Sequence, residues 1–515
     1  MVLADTRTMV PGPRTKRVAP VPSKGAGRTA APPVSSVAPH PSLWPGAGAS
    51  RQPGLPAFLL SAGHTRIMAA SGEAWGPRRA EASVESSVSR LGFYFLLIFV
   101  FISISRIFDL WLNNLHIPLV FSLLAAVFAA LDGAFQRAFR SRTGKLMAMF
   151  AVWLVVCVPF SQWRGGSFGV LTDTFFKSFL VFAMAAGSVT TVARVRSMLL
   201  TIGLAASVVM VIANVMQARV RGRLMMPTGF LANPNDLAQL MLVGMCFIPI
   251  WAVGKSLLAR GTVTLLMFPF LYTVFDTGSR AALLALLVLG CVVFWYATVA
   301  RKVALLVVFL ALGASLFSVS QNARARLQTL FASGGNTESD DIARTSTAVR
   351  TYALRQSLEM TIRNPIFGVG PAGFANVAAD LSHEDGQRAA WVETHNSYTQ
   401  VSSEMGIPGF VFLGGAVMTC LLGLTRVRKM AARAHDAIVL GTANHVLAGF
   451  GIFAFVSTFV SVAYQFHFSL MIGVAAASLS VLEKELRART PQAAMRASTA
   501  EGRLGPGHAA NRNRG

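Results

Sequence analysis

A histidine in a short polar segment is the residue of this chain whose type and setting most suggest chemistry. His395 lies in the sequence THNSY at 394–398, and GIPG follows at 406–409, with nine residues between Asn396 and Gly406. An imidazole titrates near neutral pH, so it can take a proton from a reacting hydroxyl. We interpret His395 as a candidate general base. The alternative is a purely structural role as a helix cap or a buried hydrogen-bonding group.

Two arginines in distinctive settings could serve the same chemistry by binding an anion. Arg280 ends the sequence TGSR at 277–280, directly before an apolar run, and Arg350 begins the sequence RTYAL in a long polar segment. A guanidinium forms bidentate hydrogen bonds with phosphate, and an arginine at the end of a membrane span is costly unless it pairs or reaches water. The pattern favours binding of a polyanionic group such as a lipid diphosphate. For a lone arginine, a solvated surface role is the common alternative.

Further polar residues gather where predicted helices begin. The segment 217–236 carries three arginines and the sequence NPND, and TGSR and THN also precede apolar runs. Asn and Ser are favoured helix N-caps, and the free N–H groups of a helix N-terminus attract phosphate oxygens. For any one of the arginines, contact with lipid headgroups is the alternative. The residues that we predict to bind substrate are Arg221, Arg223, Asn233, Asn235, Ser279 and Asn396.

Arg350 is expected near the start of an amphipathic helix. Apolar residues recur after it at helical spacing, and the pattern stops at an Asn-Pro pair at 364–365 that precedes a glycine turn. Arg355 follows five positions later and would point in another direction, so we favour Arg350 as the functional arginine. The apolar positions are Leu354, Leu358 and Ile362.

The composition indicates a membrane protein. Of 515 residues, 53% are hydrophobic and only 13% are charged, whereas soluble globular domains carry about 25% charged residues. The formal net charge of +24 lies mainly in two tails and in short loops between apolar runs. Nucleic-acid binding is the competing interpretation of such a charge, but basic loops between spans are what membrane insertion requires. We therefore expect membrane lipids, and no nucleic acid, among the partners.

The chain divides into a membrane domain and two tails. Residues 1–88 and 486–515 are basic and polar, and we predict that both are disordered. Residues 89–485 contain about twelve apolar stretches close to the ~20 residues that a helix needs to cross a bilayer. A long segment at 321–406 precedes the last three stretches and is predicted to be partly helical. The stretches lie near 90–108, 115–132, 145–162, 174–191, 197–216, 237–254, 261–277, 280–299, 302–320, 407–425, 436–463 and 465–482.

The charges of the loops predict the orientation of these spans. Lys and Arg are concentrated in alternate loops, which places both tails on the cytoplasmic side by the positive-inside rule. The motifs at 233–236, 277–280 and 395–396 then all face outward, together with the long segment 321–406. We therefore predict an all-α polytopic membrane protein whose outward loop caps a cavity.

Metal ligation is conceivable from composition alone. Three acidic or imidazole side chains, His383, Glu384 and Asp385, precede His395 in the same polar segment. The chain has no Asp-x-Asp or HExxH arrangement around them. We expect no metal and no cofactor.

Together these motifs resemble the bacterial O-antigen ligases and the related Wzy-type polysaccharide polymerases. The pattern HN-x9-GxxG from His395 to Gly409 is similar to the signature of that family. So are TGSR, the Arg350 element with its Asn-Pro pair and GxG turn, and the segment from Gly229 to Asn235. The resemblance covers roughly residues 90–485, and the motifs are specific jointly although each alone is weak.

The resemblance implies an inverting, metal-independent glycosyltransferase of the C-type membrane fold, in the bacterial inner membrane with its active site facing the periplasm. The donor would be an undecaprenyl-diphosphate-linked glycan, and the acceptor would be lipid A–core, a growing glycan or a protein. His395 would take the proton from the acceptor hydroxyl, while Arg280 and Arg350 would bind the diphosphate and stabilise its developing charge. An O-antigen ligase-like enzyme is the preferred interpretation. A repeat-unit polymerase and a protein O-oligosaccharyltransferase of the same family are the alternatives.

A non-catalytic transporter of the same lipid-linked glycan is the alternative from another class. Transporters often contain internal repeats and helices broken near the middle of the membrane. The sequence shows no convincing repeat, and its distinctive polar residues cluster at the ends of apolar runs, which favours an enzyme. A membrane anchor for a DNA-binding tail is a more remote alternative.

Overall fold

Nearly every secondary-structure element among the described residues is a helix. The computed structural model describes residues 86–109, 115–296, 299, 302, 303, 338–384 and 392–503. In these residues a single short hairpin, β1 (Arg219–Val220) with β2 (Arg223–Leu224), interrupts the helices. The helices are α1 (Ser87–Ser105), α2 (Ile117–Leu131), α3 (Ala134–Arg140), α4 (Arg142–Cys157), α5 (Arg164–Gly169), α6 (Phe176–Ser188), α7 (Val192–Met216), α8 (Pro234–Phe247), α9 (Leu257–Asp276), α10 (Arg280–Tyr296), α11 (Glu338–Arg363), α12 (Phe374–Glu384), α13 (Ser397–Arg433), α14 (Ala437–Val456) and α15 (Phe466–Arg503).

Most of these helices suit a lipid bilayer. Nine helical segments of the described residues are long and apolar enough to cross a membrane, and α2 with α3 makes a tenth if that pair, bent by 75°, is one span. α10 is apolar but shorter. The chain is therefore an all-α, multi-pass membrane protein, as its composition predicts. The predicted stretch at 302–320 lies almost wholly outside the described residues.

The C-terminal helix is longer than predicted. The tail was expected to begin at 486, but α15 continues to Arg503. The extension begins with Glu485 bound to Arg489 one turn later, and Arg489 also pairs with Asp436. Such i,i+4 pairs and a run of Ala and Arg stabilise a helix without an apolar pattern, so the prediction of disorder from 486 is wrong for this part. The predicted N-terminal tail at 1–88 lies outside the described residues except for its last three.

α8 lies in the interior of the bundle, and polar residues collect at its N-terminal end. It packs against α7, α9, α10 and α14, and most of its residues are buried. Gly449 of α14 leaves room for the ring of Phe247, because a Cβ atom at position 449 would lie only 2.1 Å from that ring. The buried Gln239 Nε2 donates to Phe453 O (3.0 Å) and Ser457 Oγ (3.1 Å). Hydrogen bonds of this kind join helices where lipid offers no alternative partner, so the start of α8 and the end of α14 lie together.

A break in α13 at Gly406 allows this helix to form hydrogen bonds with the turn at 365–370, which precedes α12. Gly406 has φ 69° and ψ −172°, so the backbone groups near it need partners outside the helix. Unpaired backbone groups are expensive inside a bilayer, and here four of them have partners outside α13. Donor and acceptor pairs are Val369 N to Ser403 O (2.9 Å), Gly370 N to Glu404 O (2.9 Å), Ile407 N to Pro365 O (2.8 Å) and Trp153 Nε1 to Met405 O (2.8 Å). The two glycine motifs therefore fix the segment after α11 to the helix that follows His395.

Replacing Gly406 by alanine should destabilise the protein. A Cβ atom would lie 2.1 Å from Ile366 O at a positive φ, so we expect a loss of roughly 2 kcal/mol or more from strain and clash together. The measurement is the unfolding temperature of purified Gly406→Ala in detergent. Gly261→Ala is the matched control, because no atom lies within 4 Å of its added Cβ and alanine favours a helix. An unchanged unfolding temperature for Gly406→Ala would contradict the structural role of the break.

Candidate active site

His395 lies directly before the N-cap of α13. The cap is Asn396, whose Oδ1 accepts hydrogen bonds from the backbone N–H groups of Tyr398 (2.9 Å) and Thr399 (3.1 Å). The helix therefore begins at Ser397, whereas the sequence predicted a span from about 407. His395 has a φ of 50°, in the left-handed region that residues other than glycine seldom adopt. A backbone of this kind persists only where its surroundings over-determine it.

The same turn is tied to the segment between α14 and α15. The buried side chains of Thr394 and Ser397 make the contacts on either side of His395. They are Ser397 Oγ to Val460 O (2.6 Å), Val462 N to Ser397 Oγ (2.9 Å), and Thr394 Oγ1 with Ser461 Oγ (2.9 Å). Because the end of α14 also holds α8, the His395 turn and the start of α8 belong to one end of the bundle.

Arg280 is the first residue of α10, and buried Ser279 caps this helix. Ser279 Oγ accepts from the N–H of Ala282 (3.3 Å) and donates to Asn235 Oδ1 (2.9 Å) in the first turn of α8. Gly278 makes the turn from α9 with a φ of 57°. The N-termini of α8 and α10 are thus joined by one hydrogen bond. Their free N–H groups and partial positive charge lie side by side.

Arg223 completes this group, which we call the Asn235 cluster: Arg223, Asn235 and Ser279. Arg223 Nη2 donates to Asn235 Oδ1 (2.7 Å), and its Nε donates to Thr277 O (2.8 Å). Asn233 caps α8 through a hydrogen bond from Asn235 N (2.9 Å). Three of the residues predicted to bind substrate therefore meet, and Asn233 shapes the helix that carries one of them.

The three arginines of the hairpin have different environments. Arg219 forms a two-pronged ion pair with buried Asp276 (2.9 and 2.7 Å). The hydrogen bond to that carboxylate raises the pKa of Arg219. Arg221 lies at the exposed tip, where it and Gly222 have φ values of 48° and 74°, the backbone of a two-residue hairpin turn. Within the described ranges no hydrogen bond or ion pair joins Arg221 to the Asn235 cluster. The structure brings Arg223 to this group, but not Arg221.

Arg350 projects from the middle of α11, not from its start. The helix already begins at Glu338 and ends at Arg363, directly before the Asn-Pro pair, so the predicted end is confirmed and the predicted start is wrong. The turns before Arg350 are polar and gave no apolar period from which to place them. Arg350 is half-buried, whereas Arg355 is exposed, which agrees with their different directions.

The side chains of Arg280, Arg350 and His395 influence one another electrostatically, each acting on the next. Arg280 acts electrostatically on Arg350, and Arg350 acts on His395. Burial, and next the charge of Arg280, lower the pKa of Arg350. Burial, and next the charge of Arg350, lower the pKa of His395. Like charges that approach in this way favour a bound anion, and they keep the imidazole in the neutral form that can accept a proton.

Acidic side chains near the turn were missed in the sequence. Glu393 acts electrostatically on Asp236 of α8 and on Glu404 of α13, and desolvation raises the pKa of Glu393. Burial and the neighbouring Glu404 raise the pKa of Tyr464. In the described residues, Asp236 Oδ1 and Glu404 Oε2 are buried and have no hydrogen-bond partner.

The composition-based metal site receives no support from the described residues. None of their His, Cys, Asp and Glu side chains forms a group of three or more that could hold a metal ion. Asp385 and the side chains of His383 and Glu384 lie outside the described part. The arrangement that is present consists of an imidazole whose pKa is lowered by burial and by Arg350, two guanidinium groups and the N-termini of three helices. It is suited to taking a proton while binding a phosphate-bearing ligand.

The fold defines a helical, multi-pass membrane protein in which basic side chains and helix N-termini meet at one end of the bundle. Residues 264–414 match the family model of the O-antigen ligases. The matched part contains Arg280, Arg350 and His395, and the match supports the resemblance to the O-antigen ligase and Wzy-type family that the motifs predicted. No curated protein matches the chain.

Proposed function

We propose that this protein transfers a saccharide from an undecaprenyl-diphosphate-linked donor to an acceptor hydroxyl. The family whose model matches residues 264–414 consists of ligases and polymerases. The observation that carries the proposal is the interaction of Arg280 with Arg350 and of Arg350 with His395. It supports one site in which a base and two cations act on the same substrate.

In the proposed reaction His395 accepts the proton of the acceptor hydroxyl. The acceptor oxygen attacks the anomeric carbon of the donor sugar from the face opposite the diphosphate, so the configuration inverts. The new bond joins acceptor oxygen to carbon, and the bond between that carbon and the diphosphate oxygen breaks. A hydroxyl is a poor nucleophile until a base lies within hydrogen-bond reach. The lowered pKa of His395 supports its presence as the free base.

The electron pair of the broken bond goes to the leaving diphosphate, which gains negative charge. Arg280 and Arg350 would stabilise that charge through fixed guanidinium forks in a half-buried setting. The adjacent N-termini of α8 and α10 add partial positive charge, and the Asn235 cluster holds those ends together. In this proposal cationic side chains do the work for which other glycosyltransferases use a divalent metal.

The setting that we propose is the bacterial inner membrane, with about twelve spans in the whole chain and the site open to the periplasm. The three helices that begin at the site support a common side for their N-termini. Lipid A–core is our preferred acceptor class. A growing glycan, for a polymerase, and a protein, for an O-oligosaccharyltransferase, are the alternatives.

The test is transfer by the purified, full-length protein. It is incubated with an undecaprenyl-diphosphate-linked glycan and, separately, with lipid A–core, free glycan or protein, with and without a chelator. We expect one acceptor to gain sugar at a rate that the chelator leaves unchanged. Movement of the donor lipid between leaflets without any glycosylated product would instead support a transporter. Loss of transfer on chelation would contradict a metal-independent reaction.

The pH dependence of transfer should depend on Arg350. A general base works when neutral, so activity falls as pH drops through the pKa of His395. Since Arg350 lowers that pKa, Arg350→Gln should raise it. The acidic limb of kcat/KM, which reports the free enzyme, should then move to higher pH, in addition to the loss of rate. Arg355→Gln on the exposed side of α11 is the control and should not move the limb. An unmoved limb in Arg350→Gln would contradict the coupling of the two side chains.

A further inference from the structure

α11 exposes a strip of large aliphatic side chains outside the membrane-spanning segments. Leu354, Leu358 and Ile362 are 40%, 47% and 78% exposed. The neighbouring face of the same helix is buried, with Ala353 at 1% and Met360 at 2%, and it packs against α13. An apolar strip of this size on one side of a packed helix indicates a surface that something apolar covers.

The C-terminal end of this strip is continuous with the surface that α13 presents to lipid. Pro365 O accepts the hydrogen bond of Ile407 N (2.8 Å). The chain just after the end of α11 therefore lies beside the break in α13. Ile366 and Ile407 are both more than half exposed. The exposed residues Phe410 and Val411 continue the surface along α13. Lipid must cover α13 there, because these residues are exposed on a membrane-spanning helix, and this surface lies next to the C-terminal end of the strip.

The other end of the strip leads to the candidate active site. Arg350, Leu354, Leu358 and Ile362 recur every four positions, and residues so spaced follow one another along one side of a helix. A basic and polar edge runs next to the strip. It contains exposed Arg355 and the ion pair of Arg363 with Glu359. An apolar strip bordered by such an edge is the pattern of a helix that lies in a membrane interface.

We infer that α11 is an interfacial helix, with Leu354, Leu358 and Ile362 inserted among the acyl chains of the leaflet on the side of the active site. Arg355 and Arg363 then lie at the phosphate headgroups, to which basic residues are attracted. A second copy of the chain is a poorer occupant, because the basic edges of the two copies would repel. Insertion fixes Arg350 at the depth of the headgroup phosphates. This inference goes beyond glycan transfer and does not depend on it.

The test compares two positions of the same helix by spin labelling. Ile362→Cys and Glu359→Cys are made in a Cys291→Ser background, because Cys291 is exposed whereas the other three cysteines are buried. Each labelled, full-length protein is reconstituted into vesicles of phosphatidylethanolamine and phosphatidylglycerol. Collision rates are measured with oxygen, which partitions into lipid, and with a water-soluble nickel chelate. We expect oxygen to dominate at position 362 and nickel to dominate at position 359.

Three results would overturn the inference. Dominant nickel collisions at both positions would show that the strip faces water. Low rates with both reagents at position 362 would show that protein covers it, as in a dimer. Nickel accessibility at 362 that disappears only when undecaprenyl diphosphate is added would assign the strip to the tail of that lipid. No arm measures transfer, so failure here is distinguishable from failure of the proposed enzyme activity.

Discussion

His395→Ala should lose about 10²–10⁴-fold in the rate of saccharide transfer, the range that a positioned general base contributes. The turn that carries the imidazole is held by buried Thr394 and Ser397. Replacing the His395 side chain by a methyl group therefore removes the proton acceptor without removing these contacts. The measurements are the transfer rate of the purified variant, its abundance in membranes and its unfolding temperature.

His435→Ala is the matched control for this variant. His435 follows α13 as His395 precedes it, and its φ of 53° is nearly the same, so both substitutions place alanine in the same left-handed backbone conformation. His435 is exposed at the other end of the helix, and its loss should leave transfer unchanged. Wild-type transfer by a correctly folded His395→Ala would remove His395 from the role of base.

Arg280→Lys should lose on the order of 10²-fold in transfer rate, similar to the loss of one preorganised donor in other enzymes. Lysine keeps the charge but replaces a planar fork by a single ammonium, which cannot form a bidentate contact with a phosphate. Arg280 begins α10 directly after the buried Ser279 cap, so the fork is positioned by the helix. Arg350→Lys should behave in the same way.

Arg355→Lys is the control. Arg355 lies on the same helix as Arg350, and the change from arginine to lysine is the same. Arg355 is exposed on the polar edge of α11, so its replacement should leave the transfer rate within about twofold, since exposed charges contribute little. The comparison is made at saturating donor, so that a change in kcat is separated from a change in KM. Full activity of both Arg280→Lys and Arg350→Lys would argue against a diphosphate clamp.

The local features of the site were readable from the sequence. Asn233, Ser279 and Asn396 act as the helix caps that their residue types predicted. The end of α11 before the Asn-Pro pair was also predicted correctly. Helix caps and helix ends depend on the chemistry of a few consecutive residues. They can therefore be predicted from a single sequence.

Features that depend on distant partners could not be read in this way. Arg219 was one of the three arginines grouped together in the segment 217–236, but its charge is neutralised by Asp276, far along the chain. A span was expected to begin near 407, directly after Gly406, yet Gly406 lies inside α13, where backbone groups of the 365–370 turn and Trp153 supply hydrogen bonds that the break leaves open. These contacts arise only when the helices pack.

The most direct test of the account is a structure of the protein with undecaprenyl diphosphate bound in a lipid nanodisc. The account predicts phosphate oxygens within hydrogen-bond distance of the guanidinium groups at positions 280 and 350. It also predicts that the imidazole at 395 faces the space left for the acceptor. A diphosphate bound elsewhere in the bundle, or either arginine turned away from it, would contradict the claim that these three side chains form one catalytic centre.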